Sequence, residues 1–200
     1  MEIINHLPKY THPSDNSNQF YKDTYLKREF NDNKLDIYEP IPKEKGSLMK
    51  HQKFISRFLS SKTTNDSLLI VHEMGTGKTC SAIGVIEQIR RENNDYKGAF
   101  IFSKGPTLLE NFENELINTC TSGEYKPYLD DDDLTNKQKR KLSKSLYREW
   151  YHFSYNSHST TFQTFAKNVL KNIDKSQVAR DNIKNIFSNH VLVLDEVHNI

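Results

Sequence analysis

The 200-residue sequence predicts an α/β fold, a parallel sheet with flanking helices, on three observations. Short apolar runs of strand length recur at 68–71, 98–102 and 191–194. Stretches with helical spacing of apolar residues lie between them, and strand, polar turn and helix in alternation are what crossover connections require. The run Gly75-Thr76-Gly77-Lys78-Thr79 stands at one strand-to-helix junction. That is the place and composition of a phosphate-binding loop.

The chemistry of such a loop accounts for each residue type. Gly75 and Gly77 allow backbone conformations that a side chain would forbid, so successive N–H groups turn inward around phosphate oxygens. The N-terminus of the following helix adds partial positive charge. Lys78 is expected to reach the β and γ phosphates, and the Thr79 hydroxyl to take one Mg²⁺ coordination position. The full eight-residue pattern wants a glycine at position 72, where this chain has His72. The core of the motif is intact.

Composition bounds the rest. Hydrophobic content of 35% and a mean hydropathy of −0.78 indicate polar loops or extensions around an ordinary core. A net charge of +2 does not mark the whole chain as a nucleic-acid binder, so any basic surface must be local. The two cysteines, Cys80 and Cys120, have no close partner in sequence and no histidine cluster nearby, which indicates neither a disulfide framework nor a zinc site. No run approaches a membrane span and the start lacks the apolar core of a signal peptide, so a soluble intracellular protein is expected.

In chain order, 1–47 holds four of the six prolines and no long periodic stretch, which predicts an irregular N-terminal extension. Within it, 20–30 has near-helical aromatic spacing and predicts a short helix that docks on the main domain. The stretch 48–59 predicts an amphipathic helix with Leu48, Phe54, Ile55, Phe58 and Leu59 inward. Gln52 lies near its start, and a glutamine amide suits an adenine edge because it offers one donor and one acceptor side by side. After the loop, Ala82, Val85, Ile86 and Ile89 share one face of a helix, with Glu87, Arg90 and Arg91 off it.

The second strand ends at Ser103-Lys104-Gly105-Pro106 before a helix over 107–116. Loops at the C-terminal ends of parallel strands are where ligands bind, so Ser103 and Lys104 are candidates for a second contact surface. The stretch 117–149 breaks the rhythm with an acidic run at 130–133 and then a basic one through Lys137, Lys139, Arg140, Lys141, Lys144 and Arg148. A solvated helix is the favoured reading of this insertion, against a basic face on a nucleic-acid backbone. Alternating aromatics at Tyr151, Phe153 and Tyr155 predict a strand. The threonines of 160–165, at the start of a predicted helix, are read either as helix caps or as donors to a bound phosphate. The last strand delivers Asp195 and Glu196 at its C-terminal end. There Asp195 is expected to hold Mg²⁺ and Glu196 to orient or deprotonate an attacking water.

The set Leu48-x-x-His51-Gln52, Gly75 to Thr79, Ser103-Lys104, Thr161 to Phe165 and Asp195-Glu196-Val197-His198 resembles the superfamily 2 helicases of the DExH type. Within them the chain is most similar to the poxvirus and giant-virus helicases related to nucleoside triphosphatase I and the early transcription factor small subunit. His72-Glu73-Met74 resembles their entry to the loop, and the segment through Phe20-Tyr21 and Leu26 to Phe30 resembles their N-terminal segment.

The resemblance implies a RecA-like lobe over 48–200, the first of two, incomplete after Asp195-Glu196. It implies ATP on Gly75, Thr76, Gly77, Lys78 and Thr79, adenine on Gln52, and Mg²⁺ on Thr79 and Asp195. It places the water on Glu196, gives His198 a coupling role, and sets Ser103, Lys104, Thr161 and Thr164 near a nucleic-acid backbone. A central strand that such folds supply after Asp195-Glu196 is expected to be missing, and the fragment alone to hydrolyse ATP weakly or not at all. The implied partners are DNA or RNA together with viral RNA polymerase or transcription factor subunits, in a virion or a cytoplasmic viral factory and not in a membrane. Two other readings of the residues are a different P-loop motor and a nucleotide-gated interaction module without catalysis.

Overall fold

A computed structural model describes residues 17–33, 46–71, 75–126, 135–154 and 177–196. The chain divides into two compact units, 1–43 with 48–92 and 44–47 with 93–200.

In the first unit, α1 (Ser17–Leu26) and α2 (Arg28–Asn31) lead to α3 (Lys50–Phe58), and α4 (Lys78–Glu92) follows the glycine loop. The predicted docking of the aromatic segment is observed. Phe30 is buried, with its ring 4.9 Å from Phe54 and 6.3 Å from Phe58. α3 packs on α4 at close range because Gly84 presents no side chain: a Cβ there would stand 2.6 Å from Leu48 Cδ1 and 2.7 Å from Ser56 Oγ. α4 also corrects the predicted helix face. Glu87 is buried, held by Arg90 at 3.0 Å and Arg91 at 3.6 Å, so charge pairing brings inward a residue that periodicity places outside.

At the far end of α4, Glu92 accepts from Gln88 and Ser61 and pairs with Arg57 and Lys62. Burial opposes its charge, but these partners prevail and hold its carboxyl below the ordinary range.

The second unit is a parallel sheet of three strands, β1 (Gly98–Ser103), β2 (Trp150–Ser154) and β3 (His190–Leu194), in the order β2-β1-β3. Three helices accompany it: α5 (Pro106–Asn118), α6 (Asn136–Leu146) and α7 (Gln177–Phe187). This is the expected α/β architecture of RecA-like type. β1 is central and buried throughout, pairing Phe100 with both Tyr151 and Leu192. One sheet face stacks Phe100 and Phe102 on Tyr151, Phe153 and Phe187, while Trp150 and His152 meet Phe112 of α5.

Local signals set the helix ends. Gly105, at φ +86°, precedes Pro106 at the start of α5, and the Thr135 N–H donates to Gln138 Oε1 at 2.9 Å in a capping box on α6. As expected, α6 is solvated: Lys141 and Lys144 are exposed.

Two strand expectations change. The run 68–71 is not a strand but an irregular segment with Leu69 and Val71 72% and 83% exposed. Among the described residues it pairs with no strand, and an extended segment without a ladder partner has no cover for its side chains. β3 is half-buried rather than fully buried, with Leu192 and Leu194 exposed, because it is an edge strand among the described residues.

Neither Cys80 nor Cys120 is a free thiol, although the sequence indicates no disulfide. Among the described residues no helix is long and apolar enough to cross a membrane.

Candidate nucleotide and metal site

Gly75 and Gly77 adopt φ of +80° and +78°, the left-handed conformation that frees a loop to turn its N–H groups to one side. Lys78 is the first residue of α4 and Thr79 the second, so both stand where the helix concentrates its unpaired N–H groups.

When a loop turns its N–H groups toward an anion, its carbonyls face the other way and need partners. α3 supplies them. Nε2 of His51 lies 3.2 Å from the Thr76 carbonyl oxygen, and Nε2 of Gln52 donates to the Gly77 carbonyl oxygen at 3.1 Å. The Ser81 N–H also donates to Gly77 at 3.1 Å, which ties the loop to the first turn of α4. Gln52 is 0% exposed, and its Oε1 accepts the Met49 N–H at 2.8 Å. Its amide therefore closes the start of α3 and grips the loop at once.

In the other unit, the Asp195 N–H donates to the Phe102 carbonyl at 2.8 Å, extending the β1–β3 ladder by one step. This sets Asp195 beside Ser103, whose hydroxyl donates to Asp195 Oδ2 at 3.0 Å. Ser103 is 0% exposed, so it serves the carboxylate rather than standing free at a nucleic-acid surface, whereas Lys104 next to it is exposed. Glu196 follows at φ +54°, a left-handed conformation that strains a residue with a side chain.

The sequence-predicted residues thus fall into two groups. The structure joins Gln52 to the glycine loop and Ser103 to Asp195. His72, Thr161, Thr164 and His198 lie outside the described residues. The loop-holding contact of His51 and the carboxylate-holding contact of Ser103 had no signal of their own; only the register places Ser103 and Asp195 together. Thr79 in the first unit and Asp195 in the second each carry an oxygen of the kind a hard divalent cation takes.

Residues 45–200 match the family described as type III restriction enzyme, res subunit. The chain is 33% identical over 207 residues to a protein named as a helicase in Invertebrate iridescent virus 3, an alignment covering 99% of this chain and 19% of that protein. It is 35% identical over 155 residues to one named as a helicase in Frog virus 3, covering 75% and 14%. A protein named as an ATP-dependent RNA helicase in Acanthamoeba polyphaga mimivirus is 27% identical over 187 residues, covering 86% and 29%. The chain therefore spans between 14% and 29% of the length of these curated relatives. No solved structure matches the chain.

Proposed function

The chain belongs to the family of the type III restriction enzyme res subunit, and from that premise we propose that it is the ATP-binding part of a nucleic-acid helicase or translocase. The observation that carries this reading is the glycine loop at the start of α4, whose carbonyls are taken up by His51 and Gln52. With the loop carbonyls held by α3, the glycine loop and the N-terminus of α4, which Lys78 begins, suit a triphosphate.

In this reading, Gly75 to Thr79 bind the phosphates and Lys78 neutralises charge that develops during hydrolysis. Thr79 and Asp195 are the residues that would hold Mg²⁺, which would supply positive charge against that of the phosphates. Ser103 orients the Asp195 carboxylate, and Glu196 is the group that takes a proton from the attacking water. Lys104, Thr161 and Thr164 belong to the nucleic-acid side. The names of the viral relatives support a viral motor acting on DNA or RNA, and the resemblance to viral transcription helicases extends this to a partner among polymerase or transcription factor subunits.

The test is equilibrium binding of Mg²⁺-ATP to the wild-type chain and to Lys78→Ala, followed by ATPase assays of the longest protein that contains the chain, with and without DNA or RNA. Binding that Lys78→Ala abolishes, and hydrolysis that a nucleic acid stimulates and Glu196→Gln stops, are the expected results. Equal binding by wild type and Lys78→Ala would defeat the reading.

A further inference from the structure

α6 carries five basic residues in its eleven and no acidic one. Lys137, Arg140, Lys141 and Lys144 recur at spacings of three and four, so the helical period sets them on one stripe, and Arg148 follows just past the helix end. Local physics works against such a helix. Like charges three and four residues apart repel, and Lys137 stands at the end of the helix that already bears partial positive charge.

What holds α6 lies at its start and on its inner side. Thr135 and Gln138 form the capping box, Ser143 is buried, and the buried ring of Tyr147, just past the last turn, meets Tyr125 and His152. The stripe itself faces water. Lys141 is exposed, and the Lys144 side chain stays 60% exposed even while it pairs with Glu113 at 3.7 Å. Nor does the end of α6 adjoin the Asp195 carboxylate. The helix leads into β2 at Trp150, which pairs with Ala99 near the start of β1, whereas Ser103 and Asp195 stand at the other end of the sheet.

A regular row of cations, kept against its own repulsion, is complementary to a regular row of anions. A strand of duplex nucleic acid sets one phosphate about every 3.4 Å along its axis, and the stripe from Lys137 to Lys144 spans roughly 10 Å. We infer that the basic stripe of α6 is a nucleic-acid contact surface that takes backbone phosphates whatever the base, separate from Lys104, Thr161 and Thr164. It rests on the nucleic-acid part of the proposed function and adds a second surface to it.

The test is fluorescence anisotropy with labelled single-stranded DNA, duplex DNA and RNA, each in two unrelated sequences, over about 0.05–0.2 M salt. It compares wild type, Lys137→Gln/Lys141→Gln/Lys144→Gln, and a control of equal charge off the stripe, Lys22→Gln/Lys53→Gln/Lys97→Gln, all three exposed. Each protein is first checked for folding by circular dichroism, and Mg²⁺-ATP binding is measured on the same samples. For the nucleic acid that wild type binds, the stripe variant should weaken both sequences at least about tenfold and make the slope of log affinity against log salt shallower by about 2–3. The control and ATP binding should stay close to wild type.

An equal loss in the control would reduce the effect to net charge and overturn the inference. So would polyglutamate binding to wild type as tightly as DNA, which would assign the stripe to an acidic protein. Wild type that binds ATP but none of the nucleic acids overturns the inference and leaves the nucleotide site standing. If the triple variant does not fold, Lys141→Gln alone decides, with a slope shallower by about 1 expected and an unchanged slope against it.

Discussion

The hydroxyl of Ser103 donates to Oδ2 of Asp195 at 3.0 Å, across 92 positions of sequence. The parallel register makes this possible by pairing Phe102 with Leu194 and bringing the next residue of each strand side by side. One carboxylate oxygen is thereby fixed, and the direction of the other follows from it. Ser103→Ala is expected to cost about 1–2 kcal/mol of stability and to weaken the Mg²⁺-dependent part of ATP affinity about tenfold, since a hydrogen bond to a charged group is lost. Titrating Mg²⁺ at fixed ATP tests this, and an unchanged Mg²⁺ dependence would refute the orienting role.

The backbone of Glu196 makes a second prediction. At φ +54° a side chain meets the following carbonyl, a strain of about 1 kcal/mol that glycine avoids. Glu196→Gly should therefore be about 1 kcal/mol more stable to urea than Glu196→Ala, although both remove the same carboxylate. Equal stabilities would show that the turn carries no strain.

The crossing of α3 over α4 at Gly84 gives a third. Gly84→Ala improves helix propensity by up to about 1 kcal/mol but drives a methyl group against Leu48 and Ser56, an overpacking of about 1–3 kcal/mol. A net loss in urea unfolding is expected. Adding Leu48→Ala should recover part of it, and purely additive losses would mean that the two side chains do not meet.

His152 sets a dependence on pH. Its ring lies against Phe112 and Tyr147, and neither ring nitrogen has a hydrogen-bond partner. Burial, with a smaller contribution from the Lys144 charge, lowers its pKa from 6.5 to about 4. The unfolded chain then binds the extra proton first as pH falls. The stabilisation is complete above pH 6.5 and is lost progressively between 6.5 and about 4, by at most about 3 kcal/mol because the ring is only partly shielded. His152→Phe should flatten the stability profile across that window. A profile as steep as wild type would assign the loss to other groups.

Residue by residue, legibility in the sequence followed how local each signal was. The glycine loop, α4 and the central strand were readable because glycine chemistry and apolar runs act over a few residues. The failures are non-local. The run 68–71 has a strand composition, but only a neighbouring strand can make it one, and a partner is not written in the segment itself. Glu87 looks like a surface residue until Arg90 and Arg91 fold back on it. α7 is legible too, since Ala179, Ile183, Ile186 and Phe187 fall at i, i+4, i+7 and i+8. At the candidate site, Gln52 drew attention for its chemistry, while the groups that occupy that chemistry became visible only in space.

The central position of β1 also governs how the protein is made. Its two neighbours are β2, starting at Trp150, and β3, ending at Leu194, so the strand leaves the ribosome long before either edge can be covered. At translation rates of ~5–20 residues per second, the 92 positions from Ser103 to Asp195 take roughly 5–20 seconds. Both edges of the apolar strand Phe100, Ile101 and Phe102 stay open until Trp150–Ser154 has been made, and one stays open until His190–Leu194 follows, so slower elongation prolongs the exposure of an unpaired strand edge.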